Sequence, residues 1–89
     1  MEFSPKEFFL KQIEGKIRSY VAQGKESLHK VAKYIKTVST KYGIPSQEIR
    51  QVITKVREET VEPFLNPKGI YRPERLRRFE DLCKELGFK

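Results

Sequence analysis

The sequence predicts an all-α fold, a small bundle of four helices joined by short turns. Three observations carry that prediction. Apolar residues recur at steps of three and four in four separate segments. Glycine or proline stands at the borders of those segments. No segment shows the period-two alternation of a half-buried strand. With 89 residues the chain fits one helical domain, 1–89, which buries roughly 60–65% of its unfolded surface and so has a thin core.

The first helix opens on "FSPKEF". Ser4 can cap, Pro5 suits the first helical position, and Glu7 completes a capping box. Phe3 and Phe8 stand where a hydrophobic staple would place them. Phe9, Ile13, Ile17, Tyr20 and Val21 then recur at helical spacing, giving a helix from about Pro5 to Ala22 that Gly24 ends. The second stripe is Leu28, Val31, Ala32, Ile35, Val38 and Tyr42, with Gly43 as its stop. Lys30, Lys33, Lys36 and Lys41 fall on its other faces. "GIPSQE" restarts the chain: Pro45 disfavours helix at Ile44, and Ser46 can cap. Ile49, Val52, Ile53 and Val56 form the third stripe, with Arg50 and Arg57 along one edge of it. Glu58, Glu59 and Glu62 make the end of that helix acidic, against the dipole preference, and Pro63 ends it or begins the loop. Leu76, Phe79, Leu82, Cys83 and Leu86 mark the last helix, with Pro73 in its first turn and Gly87 as its stop.

Composition narrows the function. Residues are 37% hydrophobic and 35% charged, too apolar for a disordered chain. A lysine- and glutamate-rich chain with no Trp and a single Asn points to a heat-adapted, thermophile source. No apolar run reaches the roughly 20 residues that span a membrane, and no signal-peptide pattern opens the chain, so a cytoplasmic protein is expected. The net charge is +7 and the sequence pI about 9.7. That balance attracts polyanions, nucleic acid first.

Catalytic chemistry has little to work with. His29 is the only histidine and Asp81 the only aspartate, so no histidine cluster or set of paired aspartates is available for a metal. Cys83, the only cysteine, excludes an intramolecular disulfide and reads as a small apolar filler. The five glycines are scattered singly, so no phosphate-cradling loop is present. No enzyme activity, metal or cofactor is expected.

The candidate site is "LNPKGIYRPER", Leu65 to Arg75. From Lys68 to Arg78 the chain carries Lys68, Arg72, Arg75, Arg77 and Arg78 against Glu74. Arginine offers a planar fork suited to phosphate oxygens. Tyr71 can stack on a base or sugar, or it can pack on the bundle with the arginines merely solvated. Pro67 and Pro73 restrict the backbone and Gly69 permits a tight turn. An ordered basic turn is expected, anchored by Ile70 or by a partly buried Tyr71.

Leu65, Pro67, Lys68, Tyr71 and Arg75 in this stretch resemble the "L-x-P-K-x-x-Y-x-x-x-R" segment of the small subunit of type III-A CRISPR effector (Csm) complexes. Upstream, "IPSQEIRQVITKV" is similar to that family's "L-T-T-S-Q-I-R-K-F" helix, with Ile49 and Arg50 on its Ile-Arg. The two segments cover Ile44 to Arg75, about a third of the chain. Glu48 stands where the family usually has glutamine, Gly69 and Ile70 replace a Leu-Ala pair, and Pro73 enters a region often helical there. The resemblance implies a non-catalytic role in antiviral defence. Copies of such a subunit line up as a filament along crRNA and target RNA, hold the RNA backbone, and contact other Csm subunits. On this chain it implies RNA binding through Arg50, Arg57, Lys68, Tyr71, Arg72 and Arg75. Two other readings stand beside it: a helix-turn-helix DNA-binding protein built on the second and third helices, or a protein-assembly adaptor. The acidic residues Glu48, Glu58 and Glu59 on the third helix, and Ser39 at the small-residue position before the turn, weigh against the former.

Overall fold

A computed structural model describes residues 4–88. Four α-helices form among them: α1 (Pro5–Gln23), α2 (Leu28–Tyr42), α3 (Ser46–Val56) and α4 (Pro73–Glu85). A π-helical turn, Arg57–Val61, and a 3₁₀ turn, Glu62–Phe64, continue the chain beyond α3. The all-α class and the four segments therefore agree with the sequence pattern. No helix is long and apolar enough to cross a membrane among the described residues.

The apolar stripes meet in a single cluster. Ile13, Ile17 and Val21 of α1, Val31 and Ile35 of α2, and Ile49, Ile53 and Val56 of α3 are buried in it. Val61 of the π turn, with Phe79 and Leu82 of α4, joins it. Helix α1 lies at its centre, packing on α2, α3 and α4. Helices α2 and α4 also pack on each other. No Cα of α3 comes within 8 Å of a Cα of α2 or α4. Helix α3 joins the bundle through α1 and through the π turn, which reaches both α1 and α4.

The ends of the helices follow local chemistry, with corrections. Gly24 and Gly43 both adopt φ +63° and close α1 and α2, their N–H groups donating to Tyr20 O and Ser39 O. Ser4 takes the extended N-cap backbone, but its side chain makes no cap hydrogen bond, so the expected capping box is not formed from that side. The Phe3–Phe8 staple falls outside the described residues. The N-cap of α3 is Pro45, not Ser46: the Pro45 carbonyl accepts from the N–H groups of Glu48 and Ile49, and Ser46 is already helical. Proline at this position fixes an extended entry without needing an N–H of its own. Ser27, whose role the pattern did not reveal, caps α2 by accepting from the Lys30 N–H at 3.2 Å.

Two glycine caps with the same φ separate backbone strain from crowding. A Cβ on Gly24 would lie 3.1 Å from the Arg78 guanidinium, while one on Gly43 would meet nothing within 4 Å. Gly43→Ala is expected to lower stability by about 1–2 kcal/mol through the left-handed backbone alone. Gly24→Ala should lower it further, because Arg78 must also move. Thermal melts of the two variants check the order, and equal losses would show that Arg78 yields freely.

Candidate nucleic-acid interface

The Leu65–Arg72 stretch is an ordered loop pinned by its own backbone. The Arg72 N–H donates to Phe64 O at 2.6 Å, and Leu65 and Tyr71 form an isolated antiparallel bridge. Inside the loop the Asn66 side chain accepts from the Lys68 N–H at 3.0 Å, and the Gly69 N–H donates to Asn66 O. This Asx turn sets the bend. Gly69 does not adopt a positive φ, so the bend does not depend on glycine's special freedom. The expected anchor is also corrected. Ile70 is 61% and Tyr71 48% exposed, whereas Leu65 packs half-buried against the core. The bridge turns Leu65 inward and leaves the tip of the loop in solvent. Lys68, Ile70, Tyr71 and Arg72 are presented together, and no carboxylate lies between Leu65 and Arg72.

The structure divides the predicted arginines. Arg75 is half-buried: its Nη1 donates to Thr60 O at 3.2 Å, and its guanidinium lies 4.1 Å over the Phe64 ring. It ties α4 to the π turn and underpins the loop. Arg78, one turn further, donates from Nη1 to Val21 O at 3.0 Å. Helix α1 has no basic residue in its own last turn, so α4 supplies the cation that its carbonyl end favours. Arg72 and Arg77 remain exposed.

Arg50 and Arg57 stand elsewhere, on the α3 side of a groove that opens because α3 and α4 do not pack closely. Both line it together with Ile53, Phe79, Cys83 and Phe88. The Arg50 guanidinium lies 4.7 Å over the Phe88 ring. The Arg57 Nε is 3.3 Å from the Glu62 carboxylate, which offsets its charge. The groove continues beside Leu76 and Lys84, where its volume is about 540 Å³. Burial pushes the Cys83 thiol up from its ordinary pKa, with Glu80 adding to the shift and Arg57 opposing it. A thiol so placed stays protonated near neutral pH and is a poor nucleophile. His29 is exposed on α2, its Nδ1 3.7 Å from a Glu85 carboxylate oxygen.

The six predicted site residues thus fall into three places: Lys68, Tyr71 and Arg72 on the loop tip, Arg50 and Arg57 at the α3–α4 groove, and Arg75 beneath the loop. Comparison with protein-family models, curated proteins and solved structures finds no match.

Proposed function

We propose that the chain is a non-catalytic, cytoplasmic RNA-binding subunit, the small subunit of a type III-A CRISPR effector complex. It would hold the backbone of crRNA and target RNA while base pairing supplies sequence. The observation that carries this reading is the pinned loop. It presents Lys68, Tyr71 and Arg72 to solvent with no carboxylate between Leu65 and Arg72. Cations fixed on a short rigid loop meet phosphates at low entropic cost, and an exposed tyrosine beside them adds a stacking surface. Ile70, exposed on the same tip, gives a neighbouring subunit or a second copy an apolar contact. A helix-turn-helix reading lacks support, because that motif packs its two helices against each other, and here no Cα of α2 lies within 8 Å of α3.

The test is Lys68→Ala combined with Arg72→Ala. Both side chains are exposed, so helicity and melting should match the parent. Affinity for single-stranded RNA of arbitrary sequence should fall, and its logarithmic salt dependence should flatten by about 1.4, from two lost phosphate contacts. Copurification with guide RNA and effector subunits should weaken in parallel. An unchanged salt slope removes the RNA role of the loop. Lost assembly with unchanged RNA binding makes the protein an adaptor, and tight preference for one DNA duplex restores the DNA-binding reading.

A further inference from the structure

The lysines of α2 are more than a solvated face. Taking about 100° per residue, Lys30, Tyr34, Thr37 and Lys41 fall within roughly 40° of one line along the helix, with Lys33 beside them. They border a groove of about 450 Å³ between α1 and α2. Its floor is aromatic: Phe9 of α1 stacks on Tyr42 with ring centroids 4.3 Å apart and planes 22° from parallel, and Tyr34 adjoins them. All three rings are half-buried, so each keeps some surface open. Among the described residues no carboxylate lines the groove. Among the described residues Lys30, Lys33 and Lys41 form no ion pair, in contrast to Lys6, Lys16 and Lys55. Lys41 rests 5.6 Å over the Tyr42 ring. At the far edge, Lys16 lies 4.8 Å over Tyr34 and holds Glu26 at 3.4 Å, which offsets that acidic charge.

We infer that this groove is a second nucleic-acid site, separate from the loop, that takes a single strand: Lys30, Lys33 and Lys41 hold successive phosphates while the Phe9–Tyr34–Tyr42 floor receives unpaired bases or sugars. The charge selects a polyanion, and the aromatic floor selects among polyanions. Bases locked in a duplex cannot turn their faces to a helix groove, whereas those of a single strand can. The lysines extend about 16 Å along α2, which fits an extended strand lying along the helix rather than a single bound anion. The site rests on residues outside the stretch that resembles the CRISPR subunit, so it stands or falls independently of that reading.

The test substitutes Lys30→Gln, Lys33→Gln and Lys41→Gln together, which keeps good helix formers at exposed positions. Circular dichroism should be unchanged. Binding is measured with single-stranded RNA, single-stranded DNA, duplex RNA and poly-glutamate across salt. The parent is expected to bind both single strands more tightly than duplex or poly-glutamate. The triple variant should flatten the logarithmic salt dependence by about 2, so the parent loses roughly twentyfold more affinity than the variant between 50 and 200 mM salt. Lys36→Gln, on the other side of α2, should leave the slope at the parent value. The loop variant at Lys68 and Arg72 serves in parallel: loss there with no change in the α2 variant overturns the groove and leaves the loop. Loss in the α2 variant alone supports the groove and overturns the loop. Equal binding of poly-glutamate overturns the proposal in favour of an acidic protein partner, and absence of any single-strand binding at low salt overturns it outright. Should the triple variant fold poorly, Lys33→Gln and Lys41→Gln made singly are each expected to flatten the slope by about 0.7, and an unchanged slope in both counts against the site.

Discussion

Ile17→Ala is expected to lower stability by about 3 kcal/mol and the melting midpoint by roughly 12–24 °C. Ile17 is fully buried on α1, the helix against which the other three pack. Truncation removes apolar surface and leaves a cavity that cannot close unless helices on more than one side move inward together. Native domains hold only about 5–15 kcal/mol in total, and the low end suits a chain of this size, so the variant should sit close to unfolding at physiological temperature. Ile17→Val keeps most of the volume and should cost about 1 kcal/mol. Chemical denaturation and calorimetry measure both. An Ile17→Ala loss no larger than that of Ile17→Val would mean that the bundle collapses around the gap and that α1 is not its organising centre.

Arg75→Ala is expected to behave as a structural lesion rather than as a lost ligand contact. It removes a charge-assisted hydrogen bond to the carbonyl of the buried Thr60 and the guanidinium over Phe64. The expected cost is about 1.5–3 kcal/mol. Arg77→Ala, two residues away and exposed, should cost under about 0.5 kcal/mol. Arg75→Lys should recover little, since an ammonium lacks the flat fork that both bonds and stacks here. Melting curves of the three variants decide the matter. If Arg75→Ala melts like Arg77→Ala, the inward bond contributes nothing and Arg75 returns to the list of surface cations.

Much of the fold is legible in the sequence because helical periodicity is a local property. Ile13, Ile17, Tyr20 and Val21 mix steps of three and four, which share one side only in a helix, and the same holds for Val31, Ala32, Ile35 and Val38 of α2. Gly24 and Gly43 mark true ends because each takes a left-handed φ that other residues resist. Pro67 and Pro73 likewise made an ordered loop legible, whereas its bend is set by the Asn66 side chain and not by a left-handed Gly69. The cluster of arginines was legible as a cluster, but not as a site. Arg75 and Arg78 lie three residues apart on α4, and their long side chains reach carbonyls contributed by the π turn and by α1. No spacing in the sequence announces either partner, because the partners are 15 and 57 residues away.

The sequence by itself determined which segments become helices, which face of each is apolar, and where most of them stop, since these depend on neighbours within one or two turns. The tertiary structure alone decided that α1 sits at the centre and that α3 stands apart from α2 and α4. It decided too that Tyr71 points outward while Leu65 anchors the loop, and which cations are spent on the fold and which are left facing solvent. A stripe of apolar residues states that a face must be covered but not by what. A flexible cation takes whichever acceptor or solvent the packing brings within reach. For that reason Lys30, Lys33 and Lys41 read as an ordinary solvated face until α1 placed Phe9 beside Tyr42 beneath them.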